Sequence, residues 1–162
     1  MTHASLLVRA AMCGFLAVVS SVLLPTRAAA QDDHFIGASY LITIRDAQTG
    51  AFASRGVITL HADHTMSGID SAQGGPAFFF SSQLGSWKLD AARNGLVART
   101  IDFNFPQGAG MARLDYTIRF GDQGTRVSGT ITLRIFTLEE DPLDAGGTVV
   151  GVFTFTGVVI LP

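Results

Sequence analysis

From Ala112 to Phe120 apolar and polar side chains alternate without a break: Ala112, Leu114, Tyr116, Ile118 and Phe120 against Arg113, Asp115, Thr117 and Arg119. A period of two is the repeat of an extended chain with one face buried and one face wet, whereas a helix would need a period near 3.6. The same alternation recurs along the chain and is broken by turn-forming residues, so this sequence is constrained to an all-β fold. His34 to Ile44 reads as a first strand, with Ile36, Ala38, Tyr40, Ile42 and Ile44 on one face. Asp46-Ala-Gln-Thr-Gly50 then turns it round. Arg55 to His61 is a second strand, and Ala62-Asp63-His64-Thr65 leads tightly into a third, Thr65 to Asp70. A loop of Ser71 to Leu84 precedes a fourth, Gly85 to Leu89, and Ala91-Ala-Arg-Asn-Gly95 closes the next turn.

The second half repeats the scheme with longer strands. Leu96 to Phe105 is the fifth, read with Val97, Arg99, Ile101, Phe103 and Phe105 on one face and Thr100, Asp102 and Asn104 on the other. Gln107 to Gly110 joins it to the alternating strand described above. Gly121-Asp-Gln-Gly124 is a hairpin turn into the seventh, Val127 to Ile135. The acidic loop Glu139 to Gly147 precedes the last strand, Thr148 to Leu161, which is apolar on both faces. Eight strands with short connections predict an antiparallel meander. Closing it into an eight-stranded up-and-down barrel removes its exposed edges; a two-sheet β-sandwich is the alternative.

The first thirty residues belong to a different physical class. They carry Arg9 and Arg27 and no acid, and an apolar run from Ala10 to Leu24 is followed by Pro25 and the small residues Ala28-Ala29-Ala30. That order is the order of a cleaved secretory signal, with cleavage expected before Gln31. The run is shorter than the ~20 apolar residues that span a bilayer as a helix. The expected organisation is therefore a signal peptide over 1–30 and one β-domain over 31–162, exported to the periplasm or the exterior, with no transmembrane segment after cleavage.

Cys13 is the only cysteine and lies within the signal, so the mature domain would fold without disulfides. Removing Arg9 and Arg27 leaves nine basic against thirteen acidic residues, a net charge of −4 with histidines neutral. No basic patch with interleaved aromatics remains to hold a nucleic acid.

Four stretches, Gly37-Ala-Ser-Tyr-Leu-Ile-Thr-Ile44, Gly56-Val-Ile-Thr-Leu-His-Ala-Asp-His-Thr65, Gly85-Ser-Trp87 and Val127-Ser-Gly-Thr-Ile-Thr-Leu133, together resemble small secreted bacterial β-barrels of the lipocalin-like (calycin-like) kind. The Gly-x-Trp element sits here near the fourth strand, whereas lipocalins carry it on the first. The resemblance implies a barrel whose interior takes a small apolar ligand. Tyr40, Phe78, Phe80, Trp87, Phe103 and Tyr116 are the candidate lining residues. In strand count the chain is also similar to allene oxide cyclase-like barrels, which would imply an isomerase.

The residues themselves nominate no catalytic set, no metal site and no cofactor. There is no mature cysteine and no Gly-x-Ser-x-Gly elbow. His61 and His64 flank Asp63 without further ligands of a recognisable coordination set, and Glu139, Glu140, Asp141 and Asp144 lack the spacing of a calcium loop. Asp102 and Asp115, near Arg99, Arg113 and Arg134, are read as a solvated face of cross-strand ion pairs. Phe78-Phe79-Phe80 cannot all point inward from one strand and should lie at a rim, a lid or a barrel plug. Three classes stay open: a ligand-binding barrel, a filled barrel acting as an interaction module of the cell envelope, and an isomerase. The last requires Asp102, Asp115 or a histidine to face inward with a perturbed pKa. Oligomeric state is left open.

Overall fold

The computed structural model describes residues 37–74, 79–91, 94–105 and 110–162. The expected signal region, its expected cleavage point and Phe78 lie outside these residues. Among the described residues nine strands form: β1 (Ala38–Asp46), β2 (Phe52–Leu60), β3 (Thr65–Asp70), β4 (Phe79–Phe80), β5 (Gln83–Leu89), β6 (Gly95–Phe105), β7 (Gly110–Gly121), β8 (Arg126–Thr137) and β9 (Thr148–Val159). A 3-10 turn, Asp122–Gly124, joins β7 to β8.

Each long strand pairs antiparallel with its sequence neighbour. Two further facts make the sheet a closed ring: β6 pairs with β7, and β9 returns to β1 from Tyr40↔Val159 to Asp46↔Phe153. Eight strands make the ring. The two-residue β4 lies on β6 in line with β5, pairing Phe79 with Phe105 and Phe80 with Asn104, so β4 and β5 act as one interrupted wall strand. The eight-stranded antiparallel barrel expected from the alternation is therefore the observed fold. The last strand, apolar on both faces, closes it against the first.

Alternation decides which side chains enter the barrel. Tyr40, Ile42 and Ile44 from β1, Ile58 and Leu60 from β2, Met66 from β3, Trp87 from β5 and Leu96 from β6 are buried together. Leu114, Tyr116 and Ile118 from β7, Val127 and Ile131 from β8 and Phe155 from β9 complete the core. Burying each such side chain contributes roughly 1.5–3 kcal/mol. Strands must approach closely where the barrel is tightest. At Gly129 a Cβ would stand 1.9 Å from the Thr117 carbonyl oxygen, and at Gly85 it would stand 1.9 Å from that of Arg99.

One strand faces opposite to expectation. In β6 it is Leu96, Ala98, Thr100 and Asp102 that are buried, while Phe103 is exposed on the outer surface and Phe105, at the strand's end, is half exposed beside the barrel mouth. The reason is register. Asp102 lies across from Ala112, Thr100 from Leu114 and Ala98 from Tyr116. Directly paired residues share a face, so the strong inward face of β7 overrides the weaker apolar preference within β6.

Candidate functional site

The barrel interior is divided into two unlike halves. In one half the core is packed shut. Tyr40 Oη donates to the Gly124 carbonyl at 2.9 Å, tying the wall to the β7–β8 turn, and Trp87 Nε1 donates to the His61 carbonyl at 3.0 Å. His64, whose backbone adopts φ 69°, stacks on Trp87 with ring centroids 4.4 Å apart. His61 Nε2 lies 3.2 Å from Ser67 Oγ. These histidines thus fasten the closed end, and among the described residues no group of three or more His, Cys, Asp or Glu is placed to hold a metal.

Midway along the barrel the packing becomes polar. Tyr116 Oη donates to Gln83 Oε1 at 2.6 Å, and Thr100 Oγ1 donates to the same oxygen at 3.3 Å. Desolvation pushes the Tyr116 phenol well above its ordinary value, so it stays a neutral donor.

Beyond this layer the other half is open and unfilled. A cavity of about 630 Å³ is bounded by Ile44, Leu114, Ile131, Leu133, Ile135 and Phe153 on its apolar side and by Ser54, Asp70, Gln83, Asp102 and Asn104 on its polar side. Phe79, Phe80, Phe105 and Val150 stand round it, with Phe79 and Val150 more than half exposed, so the space communicates with solvent. Small inward residues leave the room: Ser54 on β2 and Ala112 on β7 sit where a filled barrel carries branched side chains. Two β-bulges also shape it. The pairing skips at Ile44/Arg45 against β2 and at Leu133/Arg134 against β9. The extra residues, Ala53 and Val150, both line the cavity. Bulges concentrate at barrel rims and beside sites, where they re-aim the chain.

The two carboxylates of the cavity are held differently. Asp70 is fixed: Ser54 Oγ donates to Oδ2 at 2.9 Å and the Ala72 amide to Oδ1 at 2.8 Å. Asp102 is 4% exposed, and its Oδ1 has no hydrogen-bond partner. Desolvation raises its pKa from 3.8 to about 7. Asp102 therefore points inward with a perturbed pKa, and the reading of it as part of a solvated ion-paired face is corrected. Asp115 does lie on the outer face, 2.7 Å from Arg99 Nε and 3.0 Å from Arg113 Nε. That cluster carries the acidic loop. Arg113 Nη1 donates to the carbonyls of Pro142 and Asp144 at 2.7 and 2.6 Å, and the Asp141 and Glu140 carboxylates accept from the backbone amides of Leu143 and Thr137.

Of the residues nominated from sequence, Phe80 lines the cavity, and Tyr116 touches it only through Gln83. Tyr40 and Trp87 are packed in the closed half, Phe103 is on the outer surface, and Phe78 is outside the described residues. Ser54, Asp70, Gln83 and Asp102 were not nominated as lining. The usable signal for Asp102 lay one strand away, in the register that β7 imposes on β6.

No match to the chain emerges from comparison with known protein families, with curated proteins or with solved structures.

Proposed function

We propose that this chain is exported by its N-terminal signal and works outside the cytoplasm as a barrel that binds one small, mainly apolar molecule in its open half. The observation that carries the reading is the half-filled interior: about 630 Å³, apolar on one side, with convergent polar groups on the other. Volumes of ≈ 300–1,000 Å³ with this mixture are the usual form of small-molecule sites. A filled barrel acting only through its outer surface has no need of such a space.

The test is fluorescence titration of residues 31–162 with N-phenyl-1-naphthylamine, an uncharged apolar dye, beside the variant Ala112→Phe. Ala112 is buried on the cavity wall, so a phenyl ring there occupies the space with little strain elsewhere. Saturable dye binding in the wild type and at least tenfold weaker binding in Ala112→Phe is the expected result. Absence of binding, or equal binding by both, rejects the reading. N-terminal sequencing of protein recovered from an exporting host should begin at Gln31.

A second reading, acid–base isomerisation, is favoured by one observation: Asp102 faces inward with a pKa of about 7, where a general acid–base group is most effective near neutrality. Organic extraction of native protein separates the two. A carrier releases its ligand unchanged after incubation, whereas an isomerase releases a mixture of isomers.

A further inference from the structure

Resting on the cavity reading above, the geometry points to a ligand class: an organic cation, such as a protonated amine on an apolar body, seated with its charge at Asp102 and Asp70 and its body against the aliphatic wall. Among the described residues two carboxylates line the cavity, and no lysine, arginine or histidine does. Among the described residues the arginines of this half of the barrel, Arg45, Arg55, Arg99, Arg113 and Arg134, are all absent from the lining; Arg99 and Arg113 are committed to Asp115 and to the carbonyls of Leu143, Pro142 and Asp144, and Arg45 to that of Gly50. The described lining is thus negative, with no cation among its residues.

Asp102 is the group that asks for a partner. It is almost wholly buried and Oδ1 accepts no hydrogen bond, a costly arrangement unless something supplies a donor. Ala112 is its direct cross-strand partner, and the cavity that it lines is also lined by Leu114 of β7, Phe80 of β4, Gln83 of β5 and Asp70 of β3. Among these only Asp70 is charged, and it has the same sign. The buried phenols Tyr116 and Tyr40 are both neutral, their pKa values raised by desolvation. An ammonium group supplies both the missing donor and the missing positive charge. A carboxylate ligand would meet two like charges, and a plain alcohol would supply a donor without the charge. The phenyl rings of Phe80, Phe105 and Phe153 beside the cavity add faces on which a cation is attracted.

Proton linkage follows. In the free protein Asp102 is protonated below about pH 7, and an ammonium ligand binds its ionised form. Binding at pH 6 therefore releases a proton, and amine affinity falls up to about tenfold between pH 8 and pH 6.

The experiment is isothermal titration of residues 31–162 and of Asp102→Asn with three probes of one chain length: n-octylamine, 1-octanol and octanoate. Expected at pH 8 is octylamine at least tenfold tighter than octanol, with octanoate weakest. Asp102→Asn should lose most of the amine advantage while its octanol affinity stays within twofold, which also shows that the variant's cavity is intact. At pH 6, heats in two buffers of different ionisation enthalpy should report proton release on amine binding. Equal affinities for amine and alcohol, or an amine advantage that survives in Asp102→Asn, overturns the cation assignment and leaves the cavity reading standing. If none of the three probes binds, both fall together.

Discussion

Asp102 is buried where a carboxylate is least comfortable, and this has a measurable cost. Its pKa is about 7 in the folded barrel and near 3.8 when exposed. Between those values the folded state holds a proton that the unfolded state has released, so the contribution to stability is full below about pH 4 and is lost as pH rises through 7. The whole shift corresponds to ~4 kcal/mol between protonation states, and water entering the open half screens part of it. Asp102→Asn should therefore be about 1–2 kcal/mol more stable than wild type at pH 8, with the gain shrinking toward pH 5. Urea unfolding of both proteins at the two pH values measures this. Asp46 and Asp63, whose pKa values are lowered chiefly by hydrogen bonds with Thr49 and Thr65, push the opposite way in both proteins and cancel in the difference. A gain that is the same at pH 5 and pH 8 would show that Asp102 does not titrate as described.

At the scale of elements, the β8–β9 connection is the part that needs an anchor, because it lies over the outside of the barrel and has little core of its own. Arg113 provides it. The side chain is 4% exposed, sits 5.2 Å over the Phe136 ring, and forks between Asp115 and the loop carbonyls. Arg113→Ala should cost about 2–4 kcal/mol, since it strips buried acceptors of a charged donor. Arg113→Lys should recover only part of that, because an ammonium cannot reproduce the fork. Urea midpoints, together with faster proteolysis within 138–147, check both. The strands themselves were legible in the sequence: β3 spans Thr65–Asp70 as the alternation predicts, and β7, β8 and β9 extend only a residue or two beyond or short of it. The direction of β6 was not. Val97, Ile101, Phe103 and Phe105 outweigh Leu96, Ala98, Thr100 and Asp102 in apolar character, so a strand read in isolation is turned the wrong way. Pairing with β7 is a non-local fact that reverses it. Because Asp102 is the centre of the site, the strand count and barrel class could be read from the chain while the cavity's key residue could not. The arginine anchor was equally hidden, since Arg113 occupies an outward position that is wet on most strands and here is roofed by a distant loop.

For the whole molecule, the unequal filling of the two halves sets how the barrel should open. An apolar void costs ~24 cal/mol per Å³, which over 630 Å³ would be about 15 kcal/mol. That equals or exceeds the entire stability of an ordinary domain. The open half is therefore not a dry void: its polar wall must be wetted by solvent or covered by a bound molecule. The closed half, with Tyr40, Ile58, Leu60, Leu96 and Ile118 at 2% exposure or less, has no such compromise. Amides around these residues should exchange hydrogen only through global unfolding, whereas those near Ile44, Leu133 and Phe153 should exchange through smaller openings of the rim. A ligand in the cavity adds contacts only to the second group. At a hundred times its dissociation constant it raises global stability by about 2.7 kcal/mol. Its first effect is to slow exchange in the open half until the two halves converge. Hydrogen exchange followed by mass spectrometry, with and without saturating N-phenyl-1-naphthylamine, resolves this by segment. Uniform protection in the free protein would mean that the rim is as firmly held as the closed end. Ligand protection confined to the closed half would place the binding site somewhere other than the cavity.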